Sequence, residues 1–268
     1  MSAMLEKARK LKARWAAGEV TYGAWLAIGN PMVAEAMANA GFDWVFIDLE
    51  HTATDLGDLQ TMLMAIAPSE TVPIVRVPSA DPFFIKRVLD IGAAGLMIPN
   101  VMDEAEALRI VAACKYPPQG IRGFGPWRAS TYFRDLATYA ERANEDLIIV
   151  MQIESVSALD HLDAILEIDG LDALCTGPAD MAGSMGLFGK PTAAEVVRNL
   201  ALIFEKARKK GIATAHGLIA SQEDCRTLID QGVQIIPIAS DVGQLRQESA
   251  AKIAAYRQTG APKVAQLY

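Results

Sequence analysis

Cysteine is scarce in this chain, and what there is does not pair by spacing. Cys114, Cys175 and Cys225 are odd in number and form no CxxC or CxxH motif. That argues against a disulfide framework or a structural zinc site and leaves reduced, packing cysteines of a cytoplasmic protein. Clustered positive charge is also missing: 25 Lys and Arg stand against 32 Asp and Glu, for a net charge of −7. A nucleic-acid partner is therefore not expected, because such binding needs basic side chains to displace counterions. No apolar run approaches the roughly 20 residues that cross a bilayer, so no membrane role is expected. The opening MSAMLEKARKLKARW has basic residues but no unbroken apolar core, unlike a secretory signal. Met4, Leu5, Ala8, Leu11 and Trp15 recur there at helical spacing. An amphipathic helix covering apolar surface is the expectation, with a mitochondrial presequence as the alternative. Only three histidines occur and HExxH is absent, so no zinc-hydrolase set is offered.

What is present is apolar bulk in a regular cadence. A length of 268 residues with 51% hydrophobic residues suits one large core, hence one domain over residues 1–268. Eight short apolar or β-branched runs occupy 22–28, 43–50, 72–78, 95–101, 147–154, 172–180, 212–219 and 233–240. Most are continuously apolar, as parallel strands covered by helices are. Helical periodicity fills seven intervals: Met32 to Asn39, Asp55 to Ile66, Pro82 to Asp90, Asp103 to Ala113, Val156 to Leu166, Ala193 to Lys210 and Ser221 to Asp230. Gly41, Gly92, Gly170, Gly211 and Gly232 each lead from a helix into the next strand, where a left-handed residue is wanted. Eight such units predict a closed α/β barrel, the (β/α)8 or TIM fold. The long Gly-, Pro- and aromatic-rich segment 116–133 breaks the cadence and predicts a lid over the barrel mouth.

In this fold the active site lies at the C-terminal strand ends. Those ends supply Trp25, Asp48, Glu50, His51, Arg76, Asn100, Gln152, Glu154, Asp180, His216 and Ser240. Glu154 and Asp180 close adjacent strands. Two carboxylates there suit a hard divalent cation such as Mg2+ or Mn2+; the structural alternative is that each caps a helix. Arg76 is the one charge in VPIVRVP, either facing a developing enolate oxygen or paired with Asp48 or Glu50. His51 suits acid-base work at neutral pH. His216 either touches the pocket or packs in the core. The turn TGPADMAGSMG (176–186) offers successive backbone N–H groups to a carboxylate.

FDWVFIDLEHT, VPIVRVP, VLDIGA, YPPQGIRGFG, VMQIES and TGPADMAGSMG, in this order from about Trp25 to Ser240, resemble the HpcH/HpaI aldolase family of class II pyruvate aldolases. The resemblance implies retro-aldol cleavage of a 4-hydroxy-2-oxo acid to pyruvate and an aldehyde. It implies Glu154 and Asp180 as ligands of Mg2+, Mn2+ or Co2+, and Gln152 as a contact of the pyruvate moiety. The backbone at Ala179 and Asp180 matches the carboxylate-binding turn; Gly177 of that turn and Trp25 complete the expected substrate-binding set. His51 matches the general base, Arg76 the group that stabilises the enolate, and Asp48 an acidic neighbour that orders the site. Asp90 matches an aspartate that raises the histidine's basicity across a subunit interface, within a hexamer.

The chain departs from that pattern at GPWRAS (125–130) and at His216 and Gly217, both on the aldehyde side of the expected pocket. The rival within the superfamily is a citrate-lyase-β-like or malyl-CoA-type lyase, which needs a CoA pocket that no basic patch supplies. Rivals from other classes are a phosphosugar isomerase, for which PIASDVG (237–243) lacks paired glycines, and a silent barrel. A Schiff-base aldolase is disfavoured because no lysine occupies a strand end.

Overall fold

The computed structural model describes residues 3–258. Its strands are β1 (Thr21–Leu26), β2 (Trp44–Asp48), β3 (Val72–Arg76), β4 (Gly95–Ile98), β5 (Ile148–Ile153), β6 (Ala173–Thr176), β7 (Ala213–His216) and β8 (Ile235–Ser240). All pair in parallel and in sequence order, and β8 closes on β1. Every expected run is a strand of the TIM barrel. The five glycines that lead into strands have φ between 72° and 97°, so each occupies the left-handed conformation its position requires.

Before the barrel comes α1 (Ala3–Ala16). Between β1 and β5 lie α2 (Pro31–Ala38), α3 (Leu56–Ile66), α4 (Pro82–Asp90), α5 (Glu104–Cys114) and α6 (Leu136–Asp146). Then follow α7 (Val156–Asp160), α8 (Leu162–Ile165), α9 (Pro178–Ser184), α10 (Ala194–Lys209), α11 (Gln222–Asp230) and α12 (Asp241–Gln258). Helices α6, α9 and α12 are additions to the sequence reading. Aspartates and serines at the strand-to-helix turns cap the helices: Asp55, Asp81, Asp103, Ser155 and Ser221 each accept a first-turn N–H.

Two cores result. Val45, Ile47, Val75 and Leu96 face outward against the helices, while Trp44, Phe46, Ile74, Val150, Cys175 and Ala215 fill the barrel. Helix α1 plugs the N-terminal end as its spacing predicts. Ala8, Leu11 and Trp15 join the inner core, and the indoles of Trp15 and Trp44 both donate to Thr21 Oγ1 (2.9 and 3.0 Å).

The expected lid is not over this barrel's mouth. Helices of βα units run antiparallel to the strands, so α5 delivers the chain to the N-terminal end, where 116–133 remains. Arg122 pairs with Asp90 at 2.7 Å, and Arg128 donates to the carbonyls of Leu63 and Ile91, all near the C-terminal ends of α3 and α4. Three consecutive residues of this segment, Thr131, Tyr132 and Phe133, have φ of 54–68°. At the other extreme α12 stands away from the barrel: Asp241 is its one buried residue.

Candidate active site

Side chains of a strand alternate in direction, so the inner core lies at every second residue and continues upward to the mouth. From Trp44 and Phe46 the inward series reaches Asp48; from Val72 and Ile74 it reaches Arg76; from Ile148 and Val150 it reaches Gln152 and then Glu154. Four of the residues expected at the site thus converge by strand parity. A cavity of about 470 Å³ opens there, lined by Trp25, Asp48, His51, Arg76, Gln152, Gly177, Ala179 and Asp180. Ala27, Pro178, Gly217, Leu218, Ile219 and Ser240 complete its wall.

Asp48 and Arg76 are register partners on β2 and β3. Arg76 donates from Nε to Asp48 Oδ1 at 2.9 Å and from Nη2 to Oδ2 at 2.7 Å. Burial alone would raise the Asp48 carboxyl, but the forked guanidinium outweighs it and holds the group below its ordinary value. Arg76 stacks on Trp25, 4.5 Å from the ring centre, and its Nε also lies 3.3 Å from Glu50 Oε2. Both expectations for Arg76 therefore coexist: it is ion-paired and it lines the cavity.

Glu50, one of the two ion-pair partners expected for Arg76, bridges the site. Its Oε2 sits 3.6 Å from His51 Nε2 as well as beside Arg76. Burial raises its pKa; Arg76 and His51 oppose that, while Asp48 and Asp180 add to it. His51 stands at the rim with 62% of its side chain exposed.

Glu154 is nearly buried. Its Oε1 accepts the Asn100 backbone N–H at 2.7 Å and its Oε2 accepts Gln152 Nε2 at 3.2 Å. Burial pushes its pKa up to about 7; the Asn100 N–H pulls down, and the charges of Asp180 and Glu50 push further up. Asn100 attains this donation with φ at 51°, a left-handed value unusual outside glycine. Its role was missed because that conformation leaves no mark in the sequence. Glu154 caps no helix, since Ser155 caps α7, whereas Asp180 does fill a first-turn position, in α9. The 176–186 turn is thus partly helical, and the first N–H groups of a helix have no acceptor within it.

The residues fit a hard divalent cation. Carboxylates that raise one another's pKa are relieved by a positive ion. Gly177 leaves the space for Glu154: a Cβ on it would lie 2.1 Å from Glu154 Oε2. Gln152 Oε1 and Trp25 Nε1 are buried without a hydrogen-bond partner among the described residues, so polar ligand capacity remains. No three His, Cys, Asp or Glu side chains among the described residues are placed to hold a metal ion together, so water and substrate oxygens would complete such a shell.

Two expected residues lie elsewhere. Asp90, at the end of α4, is at the opposite end of its own barrel, paired with Arg122. His216 faces outward, because Ala213 and Ala215 hold the inward positions of β7. It lines a separate cavity with Leu200 and Phe204, its Nδ1 is 3.5 Å from Thr176 Oγ1, and burial lowers its pKa to about 4.

A model of the HpcH/HpaI aldolase/citrate lyase family matches residues 21–248. The chain belongs to that family. The 5-keto-4-deoxy-D-glucarate aldolase of Enterobacter sp. (strain 638) is 38% identical over 238 residues, covering 88% of this chain and 92% of the relative. An HpcH/HpaI aldolase/citrate lyase family protein from Burkholderia cenocepacia J2315 superposes with a TM-score of 0.88 at 32% identity, over 93% of this chain and 99% of that one. The protein is accordingly a carbon-carbon lyase of the aldolase type, and sugar-acid catabolism is the setting of its curated relatives. A citrate lyase β subunit from M. tuberculosis, solved with oxaloacetate and magnesium, shares only the fold: TM-score 0.56 and 14% identity over 85% of this chain and 93% of that one. The citrate-lyase alternative is not favoured. No helix among the described residues is long and apolar enough to cross a membrane.

Proposed function

We propose that this family member is a divalent-cation-dependent aldolase that reversibly cleaves a 4-hydroxy-2-oxo acid to pyruvate and an aldehyde. The observation that carries the reading is the meeting of Asp180, Gln152, Arg76 and His51 around one cavity, with Glu154 hydrogen-bonded to Gln152. Glu154 and Asp180 would hold Mg2+, Mn2+ or Co2+. When bound, the cation supplies Lewis-acid polarisation of the 2-oxo group. No lysine lines the cavity, which favours this route over a Schiff base.

The protein's own groups do the remaining work. Gln152 and the N–H groups of Ala179 and Asp180 bind and orient the pyruvate end, within the wall formed by Gly177 and Trp25. His51 accepts the C4 hydroxyl proton as the C3–C4 bond breaks; the aldehyde departs, and the bonding electron pair moves into the enolate of pyruvate. Arg76, held by Asp48, faces the enolate oxygen with its Nη1. Protonation at C3 completes pyruvate.

Asp90 can serve His51 only from another subunit, and the apolar exposure of the chain supports assembly. Val242, Leu245 and Ile253 on α12, with Ile121, Phe124 and Trp127 of the 116–133 segment, are all exposed. A cytoplasmic hexamer is the proposed state; the free thiols fit a reducing compartment.

The test is pyruvate release from 4-hydroxy-2-oxo acids by EDTA-treated protein, before and after Mg2+, Mn2+ or Co2+ is restored. Release that returns only with a cation is expected. Undiminished release after EDTA would remove the cation from the reading, and no release under any condition would remove the reaction.

A further inference from the structure

The barrel closes where β8 meets β1, and this seam is irregular. Thr21, Tyr22 and Gly23 pair with Ile235, Ile236 and Pro237, but Ala24 pairs with Ala239, so Ile238 is an extra residue on β8. A bulge of this kind re-aims the side chains that follow it. Strict alternation would put Ser240 on the outward side with Ile236. After the bulge it is Ala239 that packs outward, and Ser240, the register partner of Trp25, lines the cavity.

At the next residue, Asp241, the chain turns into α12 and the β8 ladder ends. Other seams continue past their strand ends by backbone bonds, from Leu49 N–H to the Arg76 carbonyl (3.0 Å) and from Val101 N–H to the Gln152 carbonyl (3.1 Å). At the β8–β1 seam a side chain takes that place. The Asp241 carboxylate, in a residue only 2% exposed, accepts the N–H of Ala27 at 3.0 Å and of Ile28 at 2.9 Å through Oδ2, and the N–H of Val242 at 2.7 Å through Oδ1. A buried carboxylate is costly unless such donors satisfy it, so Asp241 and the end of β1 fix one another.

The end of β1 carries Trp25, the face on which Arg76 stacks at 4.5 Å. The fork to Asp48 holds Arg76 by Nε and Nη2 along one edge, and the indole face sets the tilt of the guanidinium about that edge. Tilt decides where Nη1 points. Misplacing such a group by about 1 Å costs on the order of 10²-fold in rate.

We infer that Asp241 is a positioning residue of the aldolase site: by clamping the end of β1 it seats Trp25 against Arg76 and so aims the guanidinium at the enolate oxygen. The inference rests on the aldolase reading. Asp241 acts through Trp25 and Arg76, and every contact in this relay lies within one chain.

The experiment follows exchange of the pyruvate C3 protons in D2O by NMR, with the full chain in its assembled state and Mn2+ added, and refers the rate to the number of Mn2+-binding sites. Exchange requires the enolate but no aldehyde. Asp241→Asn and Asp241→Ala are expected to lower the maximal rate at least about tenfold, while the pyruvate concentration at half-maximal rate and the Mn2+ affinity stay within about twofold. In the Arg76→Ala background the same substitutions should change the rate by less than about twofold, because the group they position is gone. Parent-like rates per site, an equal fractional loss in both backgrounds, or no folded protein from either variant makes Asp241 a structural residue only and overturns the inference while leaving the aldolase reading intact. Pyruvate that exchanges no faster with the unaltered protein and Mn2+ than without them overturns the aldolase reading itself, and the inference with it.

Discussion

Asp48 and Arg76 stand opposite one another on neighbouring strands and form a two-bond fork at 2.9 and 2.7 Å inside the barrel mouth. The fork solves a problem that either charge alone would create, since an unpaired buried ion is strongly destabilising. It also orients the guanidinium, stacked on Trp25, toward the cavity.

Arg76→Ala should lower kcat by about 10²- to 10³-fold while leaving Mn2+ affinity within a few-fold of the parent. It should also cost about 3–5 kcal/mol of stability, because Asp48 loses its partner in a buried setting. Arg76→Lys keeps the charge without the fork, so partial recovery of stability with little recovery of kcat is expected. Steady-state kinetics with urea unfolding checks both; near-normal kcat in Arg76→Ala would make the residue purely structural.

Glu154→Gln should weaken Mn2+ binding, read by calorimetry, by more than about tenfold with circular dichroism unchanged. Gly177→Ala tests the same carboxylate from outside it. The added Cβ must displace Glu154, from which it would lie 2.1 Å, so affinity should fall by about tenfold although no ligand atom is removed. Parent-like Mn2+ binding in both variants would refute the ligand assignment.

Asp90 and His51 occupy opposite ends of one barrel, so a functional link between them requires two copies. His51→Ala and Asp90→Ala should each be impaired, and co-expression should restore roughly a quarter of the parent activity, from the mixed sites that keep both residues. Activity that is merely the average of the two variants would place Asp90 outside the site. Light scattering on the same samples reports whether the mass is six times 28.8 kDa.

His216 makes acid stability a local property. Its pKa falls from 6.5 to about 4 through burial, so between those values the unfolded chain binds a proton that the folded chain does not. The contribution is present above pH 6.5 and is lost as the pH falls toward 4. Urea midpoints at pH 7 and pH 5 should differ more for the parent than for His216→Gln. Equal differences would show that the outward cavity does not disfavour the imidazolium.

Much of the site was legible because its signals are local. Asp48, Arg76, Gln152 and Glu154 interrupt apolar runs near their ends, and a barrel puts such ends together. Asn100 was visible as a polar residue but not as a partner of Glu154, and Glu50 not as a neighbour of His51, since a left-handed φ and a 3.6 Å approach are not periodic features. His216 was ambiguous for a related reason. Parallel strands are apolar on both faces, so the sequence of β7 does not mark which parity points inward.

The sequence by itself determined the eight strands, the glycines that start them and the polar ring at their ends. Those follow from short-range hydrophobic runs and turn chemistry. Only the tertiary structure decided which end of the barrel received 116–133, that TGPAD continues into α9, and that His216 turns away from the mouth. Each of these depends on direction along or across a closed sheet, and a linear pattern of apolar and polar residues carries no such direction.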